Sequence, residues 1–89
     1  MNYETNDLYL SGYLIASGMQ MISHTKEGSQ TTFLFKNSDE LKRLVESYYN
    51  LNALVNPQRL ASALKALKNI IYQKENMYNN YGTAMYNKQ

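Results

Sequence analysis

The hydrophobic period of this chain changes at Asn37, and that change limits the folds open to it. Up to that point Thr31, Phe33 and Phe35 alternate with Thr32, Leu34 and Lys36, the two-residue period of a half-buried strand. Beyond it Leu41, Leu44, Val45 and Tyr48 recur at i, i+3, i+4 and i+7, the spacing of an amphipathic helix. Leu60, Leu64, Leu67 and Ile71 then repeat at intervals of four, three and four, with Ala63 and Ile70 widening the stripe. A strand period followed by two helical periods predicts an α+β fold.

Upstream, Thr5 or Asn6 caps a first helix, with Asp7 in its first turn, Leu8, Gly12 and Ile15 on one face, and Gly18 as its stop. Gly12 weakens a helix interior by about 1 kcal/mol against alanine, so another element is expected to pack closely there. Met19 to Thr25 supplies the partner of the Thr31–Lys36 strand, joined by the polar loop Lys26–Gln30. The phenylalanine face is the expected buried side, covered by helices, because two strands alone are marginal. Asn37 and Glu40 have the spacing of a capping box for the second helix. Leu51 to Val55 is either a tucked connection or a brief third strand, and Pro57 opens the third helix behind an Asn56 cap.

The expected order is helix, β-hairpin, helix, helix: a winged-helix-like or permuted variant in a single small domain, as 89 residues allow. Residues 1–73 form the compact α+β domain, and 74–89 a polar Tyr/Asn-rich C-terminal extension, partly helical or flexible.

Composition removes several chemistries. The chain has no cysteine, which excludes disulfides, thiolate nucleophiles and cysteine zinc sites. His24 is the sole histidine, and a strand-borne histidine without a catalytic task is the plainer reading. The aspartates Asp7 and Asp39 are explained as residues of helix first turns, and the isolated glycines form no phosphate loop. The expectation is a protein that is not an enzyme, with no catalytic residue, no metal and no cofactor. No apolar run reaches membrane-spanning length and no basic leader precedes one, so no membrane partner and a cytoplasmic location are expected.

Charge is more informative in its distribution than in its total. Residues 1–50 hold four basic and six acidic side chains, whereas 51–89 hold five basic and one acidic. Projection of the third helix at 100° per residue leaves an outward arc of Arg59, Ser62, Lys65, Lys68, Asn69 and Gln73. Lysine, serine and arginine suit phosphates, and asparagine or glutamine suits base edges. With the second helix this arc predicts a helix-turn-helix-like unit in a small dimeric protein that binds double-stranded DNA, although the connection is long for that motif and the hairpin precedes the pair. A solvated helix face accounts for the same lysines equally well. In the alternative reading the chain is a protein-interaction module that binds and inhibits another protein without catalysis. Its surface would be drawn from Tyr9, Tyr13, Tyr72, Met77, Tyr78, Tyr81 and Tyr86, or serve a homodimer.

Tyr3 to Leu14, the Thr32-Phe33-Leu34-Phe35 strand, Leu44 to Tyr49, Val55-Asn56-Pro57 and Leu64 to Lys68 follow in an order that resembles a family of small domains from bacteria, archaea and their viruses, domain of unknown function 5659. The resemblance covers Tyr3 to Tyr72 and implies a context, a phage or other mobile element in a low-GC bacterial host, without implying any site residue. In that context the alternative reading is a phage-type module that binds and inhibits a host or defence protein, and the expected location is the cytoplasm of the bacterial host.

Overall fold

The structure, a computed structural model, describes residues 1–80, with side-chain surroundings given up to Tyr72. The side chains of Gln73, Met77 and Tyr78, and all of Tyr81 and Tyr86, lie outside the described set. The element order is β1 (Asn2–Thr5), α1 (Leu8–Ala16), β2 (Met21–Glu27), β3 (Gln30–Lys36), α2 (Asp39–Tyr49) and α3 (Pro57–Asn80). The α+β arrangement read from the hydrophobic periods is present, with one strand more than expected.

That strand is β1. It pairs antiparallel with β3, from Asn2 opposite Lys36 to Thr5 opposite Phe33, and gives a sheet in the order β1-β3-β2. Four residues are too few to establish a period, so tertiary pairing decides their conformation. The hairpin is therefore no free wing. Its loop also closes sooner than its composition suggests: Glu27 pairs with Gln30, leaving Gly28-Ser29 as a two-residue turn with φ +62° at Gly28. A bulge between Met21 and Ser23 leaves Ile22 unpaired on the open edge.

The phenylalanine face is buried, as its alternation predicts. Phe33 and Phe35 are fully enclosed with Leu10, Tyr13, Leu14, Leu41 and Leu67. Each enclosed ring contributes on the order of 2–3 kcal/mol of apolar burial. On the other face of the sheet Glu4, Ser23, Thr25 and Glu27 are exposed.

α1 is the central helix, with six of its nine residues buried. It starts one or two residues later than Thr5 or Asn6 would place it: Asp7 is the N-cap, its carboxylate accepting from the Leu10 N–H at 3.0 Å. Thr5 holds the approach, its hydroxyl accepting from the Asp7 N–H at 3.0 Å. The helix ends as predicted at Gly18, with φ +98°. Met19 N–H donates to Leu14 O and Gly18 N–H to Ile15 O, the paired bonds of a Schellman motif.

α2 is capped by Ser38 and not by Asn37. Ser38 is extended and its hydroxyl accepts from the Leu41 N–H at 3.0 Å, which moves Glu40 out of the capping-box position. The segment after α2 forms no strand; it is a connection with Ala53 and Val55 against the core and Leu51 and Leu54 about nine-tenths exposed.

Candidate nucleic-acid interface

α3 begins where its sequence says it should. Pro57 occupies the first helical position, and Asn56 Oδ1 accepts from the N–H groups of Gln58 and Arg59 at 2.9 and 3.0 Å. Leu67 and Ala63 are buried, while Leu60, Leu64, Ile70 and Ile71 are half-buried. The stripe of the sequence is the packed face.

The helix it packs on is α1, and Gly12 makes the approach. A Cβ on Gly12 would lie 2.7 Å from Leu64 Cδ2 and 3.4 Å from Leu60 Cδ1. The close contact expected for this interior glycine is thus an interhelical seat. α2 contributes its packing to α1 and the core instead, so α2 and α3 do not form the packed pair of a helix-turn-helix. Farther along, Lys26 Nζ donates to Ile71 O at 3.4 Å and links β2 to the same helix.

With its inner face seated, α3 presents Arg59, Ser62, Lys65, Lys68, Asn69 and Tyr72, all exposed. They do not form one cluster. Arg59 and Lys68 are nine residues apart, about two and a half helical turns, and so fall on opposite flanks. Arg59 and Ser62 border a groove of about 610 Å³ against the end of α1, floored by Ile15, Ala16, Ala63 and Ala66. Lys65, Lys68, Asn69 and Tyr72 border a second groove of about 550 Å³ on the other side. No carboxylate occurs from Pro57 to Lys74.

The tyrosines divide differently from their sequence grouping. Tyr9 and Tyr72 are exposed, but Tyr13 is only 4% exposed and cannot serve an interaction surface. It stacks on Tyr48 with centroids 6.0 Å apart, and Tyr48 meets Tyr49 edge-on at 5.3 Å. The Tyr48 hydroxyl lies 3.4 Å from both carboxylate oxygens of Asp7. Burial, then the Asp7 charge and hydrogen bond, raise the Tyr48 phenol above its ordinary pKa; burial, then Tyr49 and Asp7, raise Tyr3. Sequence spacing carried no signal for this cluster, since Asp7 and Tyr48 belong to different elements. His24 is exposed on β2, opposite Phe33. Among the described residues no group of histidines and carboxylates is placed to hold a metal ion, and no helix is long and apolar enough to cross a membrane.

A family model described as a domain of unknown function, DUF5659, matches residues 1–73. The chain belongs to that family. Neither a curated protein nor a solved structure gives a significant match. The DUF5659 match ends within α3, which continues without a break to Asn80, so the family region includes the whole Pro57–Tyr72 face.

Proposed function

We propose that this DUF5659 protein binds double-stranded DNA through the outer face of α3. One observation carries the reading: an acid-free helix face has cations on both flanks, Arg59 and Lys68, with Ser62, Lys65 and Asn69 between them. A helix lying in the major groove needs that distribution. Its flanks face the two phosphate walls and its centre faces base edges. Arg59, Lys65 and Lys68 then serve phosphates, Asn69 a base edge, and Ser62 either one. Family resemblance and composition add the context of an accessory or regulatory protein of a phage or other mobile element.

The test is duplex binding at low salt followed through a salt titration. Replacing Arg59, Lys65 and Lys68 together by glutamine removes three phosphate contacts, which should flatten the log–log salt slope by about 2.7. A wild-type protein that shifts no duplex at low salt disposes of the proposal.

A second reading has its own observation. Tyr49 and Tyr9 are about 60% exposed, and Leu51 and Leu54 about 90%, which is apolar surface that a protein partner could cover. Nuclease-resistant retention of one host protein, lost when Leu51 and Leu54 become serine, is the outcome that would favour it.

A further inference from the structure

We infer that the Lys65–Lys68 flank of α3 takes an unpaired nucleotide, so that the nucleic acid suited to this protein carries a single-stranded stretch beside its duplex. The inference rests on the DNA-binding reading above and names the form of DNA. Ala61, Lys65, Lys68 and Tyr72 are spaced by four, three and four residues and fall on one stripe of α3. With Leu64 and Asn69 they bound the groove of about 550 Å³. All six of these residues belong to α3, so the groove is an open channel between side chains on the helix surface. Its floor is Leu64, which packs over Gly12 of α1.

An unpaired nucleotide offers a π face, a hydrogen-bonding edge and a phosphate. The groove offers a counterpart to each. The Tyr72 ring, 53% exposed, is a stacking platform; the Asn69 amide donates and accepts; Lys65 and Lys68 supply two ammonium groups. Within an intact duplex this ring has little to do. A side chain on the flank of a helix in the major groove meets the sugar–phosphate wall, where bases are already stacked on one another. The ring gains a partner where the wall opens and a base comes free. The groove on the Arg59 side has Arg59 as its one cation among aliphatic and neutral polar side chains, and holds no aromatic. The asymmetry places the single-stranded stretch on the Lys68–Tyr72 side.

The experiment measures binding of the full chain, by fluorescence anisotropy, to a blunt duplex and to the same duplex with a single-stranded tail of about ten nucleotides, within the usual site sizes. The tailed duplex should bind about 5- to 150-fold more tightly, the range that stacking of one base supplies. Tyr72→Leu should abolish that advantage, so that blunt and tailed duplexes bind alike, while Tyr72→Phe should retain it. Circular dichroism of Tyr72→Leu confirms that the helix is intact. Equal affinity for blunt and tailed duplexes, or a tail advantage that survives Tyr72→Leu, overturns this inference and leaves duplex binding standing. Absence of binding to either ligand removes both.

Discussion

Gly12 on α1 and Leu64 on α3 approach so closely that a single added carbon would lie 2.7 Å from the leucine methyl. The contact fixes where α3 sits and therefore which of its residues face outward. A methyl group at position 12 gains about 1 kcal/mol of helix propensity and incurs roughly 1–3 kcal/mol of overpacking. Gly12→Ala should therefore destabilise only slightly, by about 1 kcal/mol, as the Leu64 side chain shifts. Gly12→Val adds bulk that a shift cannot absorb, and should cost about 2–3 kcal/mol in urea unfolding. Leu64→Ala should cost measurably less in the Gly12→Val background than alone. Additive effects in that double-mutant cycle would show that the two side chains do not compete for one space.

Leu51 is the next position where a substitution has a definite sign. α2 ends in a Schellman motif, with Asn52 N–H donating to Ser47 O at 2.8 Å and Leu51 N–H to Tyr48 O at 3.2 Å. Leu51 occupies its left-handed position, φ +62°, where glycine is the usual residue, and its side chain is 91% exposed. Relief of roughly 1–2 kcal/mol of steric strain outweighs the extra unfolded-state entropy of glycine, about 0.5–1 kcal/mol. Leu51→Gly should raise stability by about 0.5–1 kcal/mol, visible as a higher urea midpoint. A lower midpoint would mean that the exposed leucine side chain contributes packing of its own.

Asp7 and Tyr48 make stability depend on alkaline pH. The folded-state pKa of Tyr48 is raised, so the fold favours the neutral phenol. Its contribution is fully present below the unfolded value near 10 and is lost as pH rises through the folded value. Tyr3 shifts in the same direction and adds to the effect. Unfolding followed between about pH 9 and pH 11 should show a loss of stability that Tyr48→Phe reduces in steepness. Tyrosinate absorbance should report that one late-titrating phenol has gone. Asp7→Asn keeps a capping oxygen for Leu10, whereas Asp7→Ala should lose about 1 kcal/mol through the helix cap.

What the sequence disclosed and what it withheld follow from the range of the interactions. The Phe33 and Phe35 face, the Leu60–Ile71 stripe, the Gly18 stop and the Asn56 cap are local patterns, and each is present where its spacing put it. β1 depends on pairing with β3 some thirty residues later, and its four residues carry no period of their own. The Asp7–Tyr48 contact spans 41 residues, and Tyr13, buried in the core cluster, stacks on that same Tyr48. The seat of α3 on α1 was half visible: Gly12 announced a close neighbour without naming it. The outward face of α3 was legible as a set, but its division into two flanks required knowing which helix it packs on.

That division makes the phosphate contacts separable. If Arg59 and Lys68 meet opposite walls of one DNA groove, each contacts its own phosphates. Single substitutions to glutamine should then lower the log–log salt slope by about 0.9 each, and the double substitution by about twice that. Asn69→Ala should leave the slope unchanged. If its amide reads a base edge, it should instead narrow the affinity gap between preferred and altered sequences by about 1–3 kcal/mol. Anisotropy titrations at four or more salt concentrations, repeated on two duplex sequences, separate these effects. A slope that falls for Lys68→Gln and not for Arg59→Gln would mean that only the Lys65–Lys68 flank touches DNA. The helix would then lie against the backbone with one side, outside the groove.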